Sequence, residues 1–202
     1  MEKRVKIINT FDEILKYECE VIGIEKSKHE DIIDKLRKYR DGLGECGLLV
    51  IWLLTYRTEC QDEGRRLYAY DRQITPHEIS EAFLGNSCQA LASVPKLFFI
   101  DAQYLEKPSP KHLADRRGQE AADGSYRLPI TANFLFSMSP FVKKDTEYVD
   151  ICCNAIKNNV EGRLDGDIID VLTFVAREAA IDDVTSTHIS TLTNTLHLKP
   201  TS

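Results

Sequence analysis

The sequence predicts an α/β protein in which a mostly parallel central sheet is the middle of three layers, with helices on both faces. Three observations carry this. Leu48-Leu49-Val50-Ile51-Trp52-Leu53-Leu54 is apolar throughout, as is Leu97 to Ile100, the mark of strands covered on both sides. Between them, Thr75-Pro76-His77-Glu78 forms a capping box with proline at the first helical position. Strands alternating with helices are the pattern of parallel crossover units.

Taken in order, Asn9 to Lys16 reads as a short helix and Tyr17 to Ile24 as a strand. Ser27 begins a capping box with Glu30, after which Ile32, Ile33 and Leu36 form one helical stripe. The strand through Leu48 to Leu54 follows, then the helix opened by Thr75 and running through Phe83, then the strand from Leu97. Leu105 to Tyr126 breaks the rhythm with Pro108, Pro110, Gly118, Gly124 and many charges, and reads as an exposed linker. Asn133 to Met138 is a strand, Thr146 to Asn158 and Asp167 to Glu178 are helices, and Ile189 to Leu198 is a threonine-rich strand.

Composition narrows the function classes. The 202 residues suit one domain with a substantial core, and 43% hydrophobic with 29% charged residues is ordinary for a globular chain. A net charge of −6 and a pI near 5.4 argue against a nucleic-acid partner. The longest apolar run, Gly47 to Thr55, is strand-sized and far short of the roughly 18 residues of a membrane span. Met1 to Lys6 is basic but has no apolar stretch behind it, so no signal peptide is read and the cytoplasm is the expected compartment. The cysteines at 19, 46, 60, 88, 152 and 153 form no Cys-x-x-Cys pair and show no histidine at zinc-ligand spacing. They are expected to be reduced, and neither a metal nor a cofactor is expected.

The stretch Val94-Pro95-Lys96-Leu97-Phe98-Phe99-Ile100-Asp101-Ala102-Gln103-Tyr104-Leu105 resembles the caspase strand that ends in the catalytic cysteine. The family pattern is Lys-Pro-Lys-Leu-Phe-(Phe/Ile)-Ile-Gln-Ala-Cys-Arg-Gly. Pro95 to Ile100 keeps its scaffold half, and the chemical half is replaced. Other stretches agree in the correct order. Glu30 to Leu36 looks like the second family helix, and Gly85-Asn86-Ser87-Cys88-Gln89-Ala90-Leu91 is similar to Gly-Asp-x-Cys-x-x-Leu. Leu128 to Ser137 resembles the start of the small subunit. Ile189 to Leu198 falls where caspases place the strand that pairs across their dimer axis, which implies dimer contacts through Ile189, Thr191, Leu192 and Leu196. The resemblance thus divides one domain into a large-subunit-like region 1–104, a linker 105–126 and a small-subunit-like region 127–202. Aligned on the first helix, Met1 falls after the family's first strand and the first arginine of its aspartate pocket.

A caspase cuts after aspartate with a cysteine thiolate assisted by a histidine. The resemblance puts Tyr56 at the histidine position and Gln103 at the cysteine position. An ordinary phenol keeps its proton until about pH 10, and a primary amide cannot form an acyl-enzyme. Loss of either partner of such a pair costs on the order of 10⁶ in turnover. Asp101 replaces a pocket glutamine and sets negative charge where a substrate carboxylate would bind. Ser139 to Lys144 replaces the longer family loop and its Trp-Arg pair; Lys143 is a weak substitute, lacking the planar fork of arginine. Arg57, at the oxyanion-hole glycine, is less telling because the hole uses a backbone N–H.

The remaining titratable residues read plainly. Cys88 is a packing residue, Cys60 an exposed thiol, and one of Cys152 and Cys153 a core residue. His77 is read as solvated, and His188 and His197 as surface or interface residues. Within the linker, Glu120-Ala121-Ala122-Asp123-Gly124 resembles a caspase processing site cut after Asp123, although Asp-Gly is also common in ordinary turns.

The leading functional expectation is a catalytically inactive caspase homologue. It would activate or inhibit an active caspase paralogue, or pair with itself, through the C-terminal strand. The alternatives are an active cysteine endopeptidase cleaving after aspartate and a module binding a peptide or ligand in the vacated cleft.

Overall fold

A computed structural model of the chain describes residues 2–21, 27–60, 64–84, 89–104, 132–142 and 145–201. Its strands form one six-stranded sheet in the order β3-β2-β1-β4-β5-β6, with β1 Leu49–Cys60, β2 Gly64–Tyr68, β3 Gln73–Ile74, β4 Lys96–Tyr104, β5 Phe134–Met138 and β6 Thr187–Ser190. The sheet is mixed. β1, β4 and β5 are parallel at its centre, while β2, β3 and β6 pair antiparallel on the flanks.

Apolar alternation along the central strands divides the interior into two cores. Leu49, Ile51 and Leu53 face α2 (His29–Gly42) and α3 (Pro76–Glu81), joined there by Phe98, Ile100, Phe134 and Phe136. Leu48, Val50 and Trp52 face the other way with Leu97, Phe99 and Leu135. That second layer holds α1 (Glu2–Ile8), continued by a π-helical stretch Asn9–Ile14, with α4 (Tyr148–Val160) and α5 (Ile168–Glu178). Helices therefore cover both faces, and the strands are apolar on both sides for that reason. Trp52 stacks on Phe99 at 4.5 Å, and Phe98 on Phe136 at 4.9 Å, tying neighbouring strands together on opposite faces.

Local signals set the helix starts. The Thr75 side chain accepts from the Glu78 N–H at 3.1 Å while Glu78 Oε2 accepts from the Thr75 N–H at 2.8 Å, as the capping box requires. Asp167 accepts from Ile169 and Asp170 at the start of α5, preceded by Gly166 at φ +127°, a backbone conformation glycine tolerates. Lys96, fully buried, donates from Nζ to the carbonyls of Leu91 and Val94 at 2.7 and 2.6 Å and lies over the Phe134 ring.

Several expectations are corrected. Residues 17–21 form no strand: the Tyr17 N–H bonds Phe11 O at 2.8 Å and its ring packs on Phe11, so this segment covers the helical layer. The first capping box lies one residue later than expected. Ser27 O is taken by the Tyr70 N–H, and Asp31 caps the Lys28 N–H at 3.3 Å. Helix α3 ends at Glu81 rather than Phe83, and β4 runs on through Tyr104. Both Cys152 and Cys153 are buried, because α4 is packed against the sheet on one side and the N-terminal helix on the other.

The last strand is shorter and earlier than the threonine-rich pattern suggested. β6 ends at Ser190, so Thr191, Leu192 and Leu196 lie beyond it and only Ile189 of the four is in the strand. Thr191 bonds back to Asn133 and Phe134, while Leu192 and Leu196 pack onto the α4–α5 core. Their alternation reflects burial against helices, not pairing in a sheet.

Candidate active site

The C-terminal ends of the parallel strands β1 and β4 meet where Thr55, Tyr56 and Arg57 lie beside Asp101 to Tyr104. Tyr56 and Gln103 are direct register partners, as are Leu54 and Asp101. By strand alternation, Leu54, Tyr56, Asp101 and Gln103 project to the α1–α4 side, and Thr55, Arg57 and Ala102 to the α2–α3 side. Tyr56 is 42% exposed, and Gln103 is exposed too. The pair expected at the base and nucleophile positions is thus adjacent and open to solvent. A phenol beside a primary amide offers hydrogen bonding but no thiolate or imidazole.

Asp101 is buried, and its Oδ2 accepts from Lys3 Nζ of α1 at 2.8 Å. The same ammonium donates to Thr146 O at 3.3 Å. A second pair, Lys6 with Asp150 at 2.7 Å, holds the next turn of α1 against α4. Asp101 is therefore a paired charge. Lys3 carries no motif and lies 98 residues away, so sequence reading missed it.

Arg57 is the larger surprise. Only 1% exposed, it donates from Nε and Nη2 to Val142 O at 3.2 and 2.9 Å and from Nη1 to Ser139 Oγ at 3.2 Å, and it stacks over Phe141. Ser139 Oγ also accepts from the Ala102 N–H at 3.1 Å, so one hydroxyl joins β1, β4 and the segment after β5. Burial pulls the guanidinium below its ordinary value, opposed by the charges of Asp101 and Asp145. The signal that could have found Arg57 is parity. Positions 49, 51, 53, 55 and 57 share one face, and the strand extends beyond Leu54.

Behind the site, Tyr148 is fully buried and hydrogen-bonded to Ser137 Oγ; burial pushes its phenol, and the neighbouring Cys152 thiol, well up. The two thiols of α4 are held protonated, Cys153 pushed up to about 11 by burial, and neither is an activated nucleophile. Cys19 is exposed, and partial desolvation of its thiol, followed by the negative charge of Asp12, pushes it up as well. His77 and His197 are exposed, whereas the His188 imidazole is half-buried on β6. Lys143 and Asp123, and the thiols of Cys60 and Cys88, fall outside the described residues. Among the described residues no cluster of histidine, cysteine and carboxylate side chains could hold a metal, and no helix is long and apolar enough to cross a membrane.

Comparison with known proteins decides the family. The family pattern described as Caspase domain matches residues 4–144, well over half of the chain. The chain belongs to the caspase family. Caspase-1 of Drosophila melanogaster is 29% identical over 188 residues, covering 83% of this chain and 55% of that protein. Caspase drICE of Drosophila melanogaster is 31% identical over 128 residues, covering 57% and 37% respectively. The chain thus spans about half or less of the length of these relatives. Two solved structures, pro-sf-caspase-1 and caspase-1 from Spodoptera frugiperda, superpose with a TM-score of 0.71 at 21% identity. They cover 99% of this chain and 82% and 81% of their own, and they establish the fold.

Proposed function

We propose that this protein is a catalytically inactive caspase homologue that tunes the activity of a competent caspase by pairing with it. The observation that carries this reading is the adjacency of Tyr56 and Gln103 at the ends of β1 and β4. By the resemblance of the two strands to their caspase counterparts, these positions correspond to the catalytic histidine and cysteine, and neither replacement can perform nucleophilic acyl transfer. Asp101 and Arg57 support the same reading. The first brings a carboxylate already paired with Lys3, and the second turns its guanidinium inward to Val142 and Ser139.

Pairing would use β6, which ends the sheet among the described residues. The Thr191 N–H bonds Phe134 O, so alternation turns the N–H groups of His188 and Ser190 away from β5 toward the free edge. An edge strand with outward N–H groups is a template for a second strand. The partner is a competent caspase or a second copy of this chain, and the linker segment around Asp123 is a candidate for cleavage by such a caspase.

The pairing is tested by mass photometry of the chain mixed with an active caspase from the same source. Ser190→Pro removes an outward donor at the edge while sparing the bonds to β5. A mixed species formed by the wild type and lost in Ser190→Pro is expected. A mixed species unaffected by the proline would remove β6 from the account, and no mixed species with any caspase would remove the pairing.

A further inference from the structure

We propose that the buried end of β4 is a binding site for the guanidinium group of an arginine presented by a partner segment, and that Lys3 is its built-in stopper. Asp101 is only 2% exposed, yet only one of its carboxylate oxygens is satisfied; Oδ1 has no hydrogen-bond donor among the described residues. Thr146, 5% exposed, repeats the pattern, with its carbonyl taken by Lys3 and its hydroxyl unpartnered among the described residues. A buried acceptor left without a donor is unfavourable, so the two together mark a place built for more donors than it now meets.

The shape of the deficit selects the ligand. An ammonium is a compact donor, and Lys3 reaches one carboxylate oxygen and one carbonyl. A guanidinium carries five N–H groups in a planar fork, enough for both Asp101 oxygens and the Thr146 hydroxyl. That geometry favours arginine over lysine and disfavours any acidic group.

Lys3 is also suited to leave. Its side chain is 27% exposed, so the ammonium can swing out to solvent on its flexible stem while α1 stays packed through Ile7. The approach is lined for a long aliphatic stem. Leu54, register partner of Asp101, is 44% exposed, and Tyr56 follows it on the same side. An arginine would lay its methylenes along these two and send its head group to Asp101.

The site is independent of β6 pairing, so it is tested on the full chain alone, with no caspase present. Fluorescence polarisation would use labelled peptide amides identical except for one residue: arginine, lysine, citrulline or aspartate. The arginine peptide is expected to bind about tenfold or more tighter than the citrulline and aspartate peptides, and tighter than lysine. Lys3→Ala should tighten it severalfold, and Asp101→Asn should abolish it. Should Asp101→Asn fail to fold, Lys3→Ala and the citrulline control still decide. Equal binding of citrulline or lysine, an arginine affinity indifferent to Lys3→Ala, or no binding at all (a bridging water only) would overturn the assignment.

Discussion

Tyr56 on β1 and Gln103 on β4 are cross-strand register partners near the C-terminal ends of two parallel strands, both open to solvent. Their adjacency makes a simple restoration experiment informative. The double variant Tyr56→His with Gln103→Cys would return an imidazole and a thiol to neighbouring, exposed positions. It is expected to take up one alkylator label more than the wild type, whose Cys19 is already exposed, while still failing to cleave an aspartyl peptide, because Lys3 occupies Asp101 and Arg57 is committed to Val142. Peptide turnover by this variant would show that the pocket, as well as the scaffold, survives.

Arg57 should matter for stability. Three hydrogen bonds and a stacked ring hold it in a position from which water is excluded. Arg57→Ala leaves Val142 O and Ser139 Oγ short of donors and opens a void, a loss of about 3 kcal/mol. Arg57→Lys should retain part of this. Urea unfolding followed by Trp52 fluorescence reads both; an alanine variant within about 0.5 kcal/mol of wild type contradicts the buried-anchor role.

His188 predicts a pH dependence. Desolvation lowers its folded value to about 4 from an ordinary 6.5, so the unfolded chain takes up the proton first. The associated stability is complete above about pH 6.5 and lost as pH falls toward about 4. The size is on the order of 1–3 kcal/mol. Thermal melts from pH 7.5 to 4.5 should therefore fall more steeply for wild type than for His188→Gln. Parallel curves would place the acid sensitivity elsewhere.

Tyr148→Phe removes the hydroxyl that meets Ser137 beneath the sheet and leaves the serine unpaired in a dry site. About 1–2 kcal/mol should be lost with no change in secondary structure. Circular dichroism with chemical denaturation measures this directly, and an unchanged midpoint would mean that Ser137 finds another partner.

What the sequence made legible was whatever depends on local pattern. The two-sided apolar runs at Leu48 to Leu54 and Leu97 to Ile100 pointed to central strands, and Thr75 with Glu78 pointed to a helix start. What it obscured depends on parity and distant contacts. Arg57 lies three residues past the end of the apolar run at Leu54, where no local pattern marks it, although its odd-numbered register with Leu49, Ile51 and Leu53 turns it inward. Lys3 could not be found at all, since an ion pair across 98 positions leaves no periodic trace. Leu192 and Leu196 misled in the other direction, their alternation arising from packing against α4 and α5.

The central claim is that the chain acts on a caspase without being a working one. It is tested most directly by titrating the protein into an active caspase from its own source and following cleavage of a fluorogenic aspartyl peptide. The account predicts a saturable rise or fall in rate, with no cleavage by this protein alone. A flat response across the available caspases, or turnover by the protein alone, would contradict it.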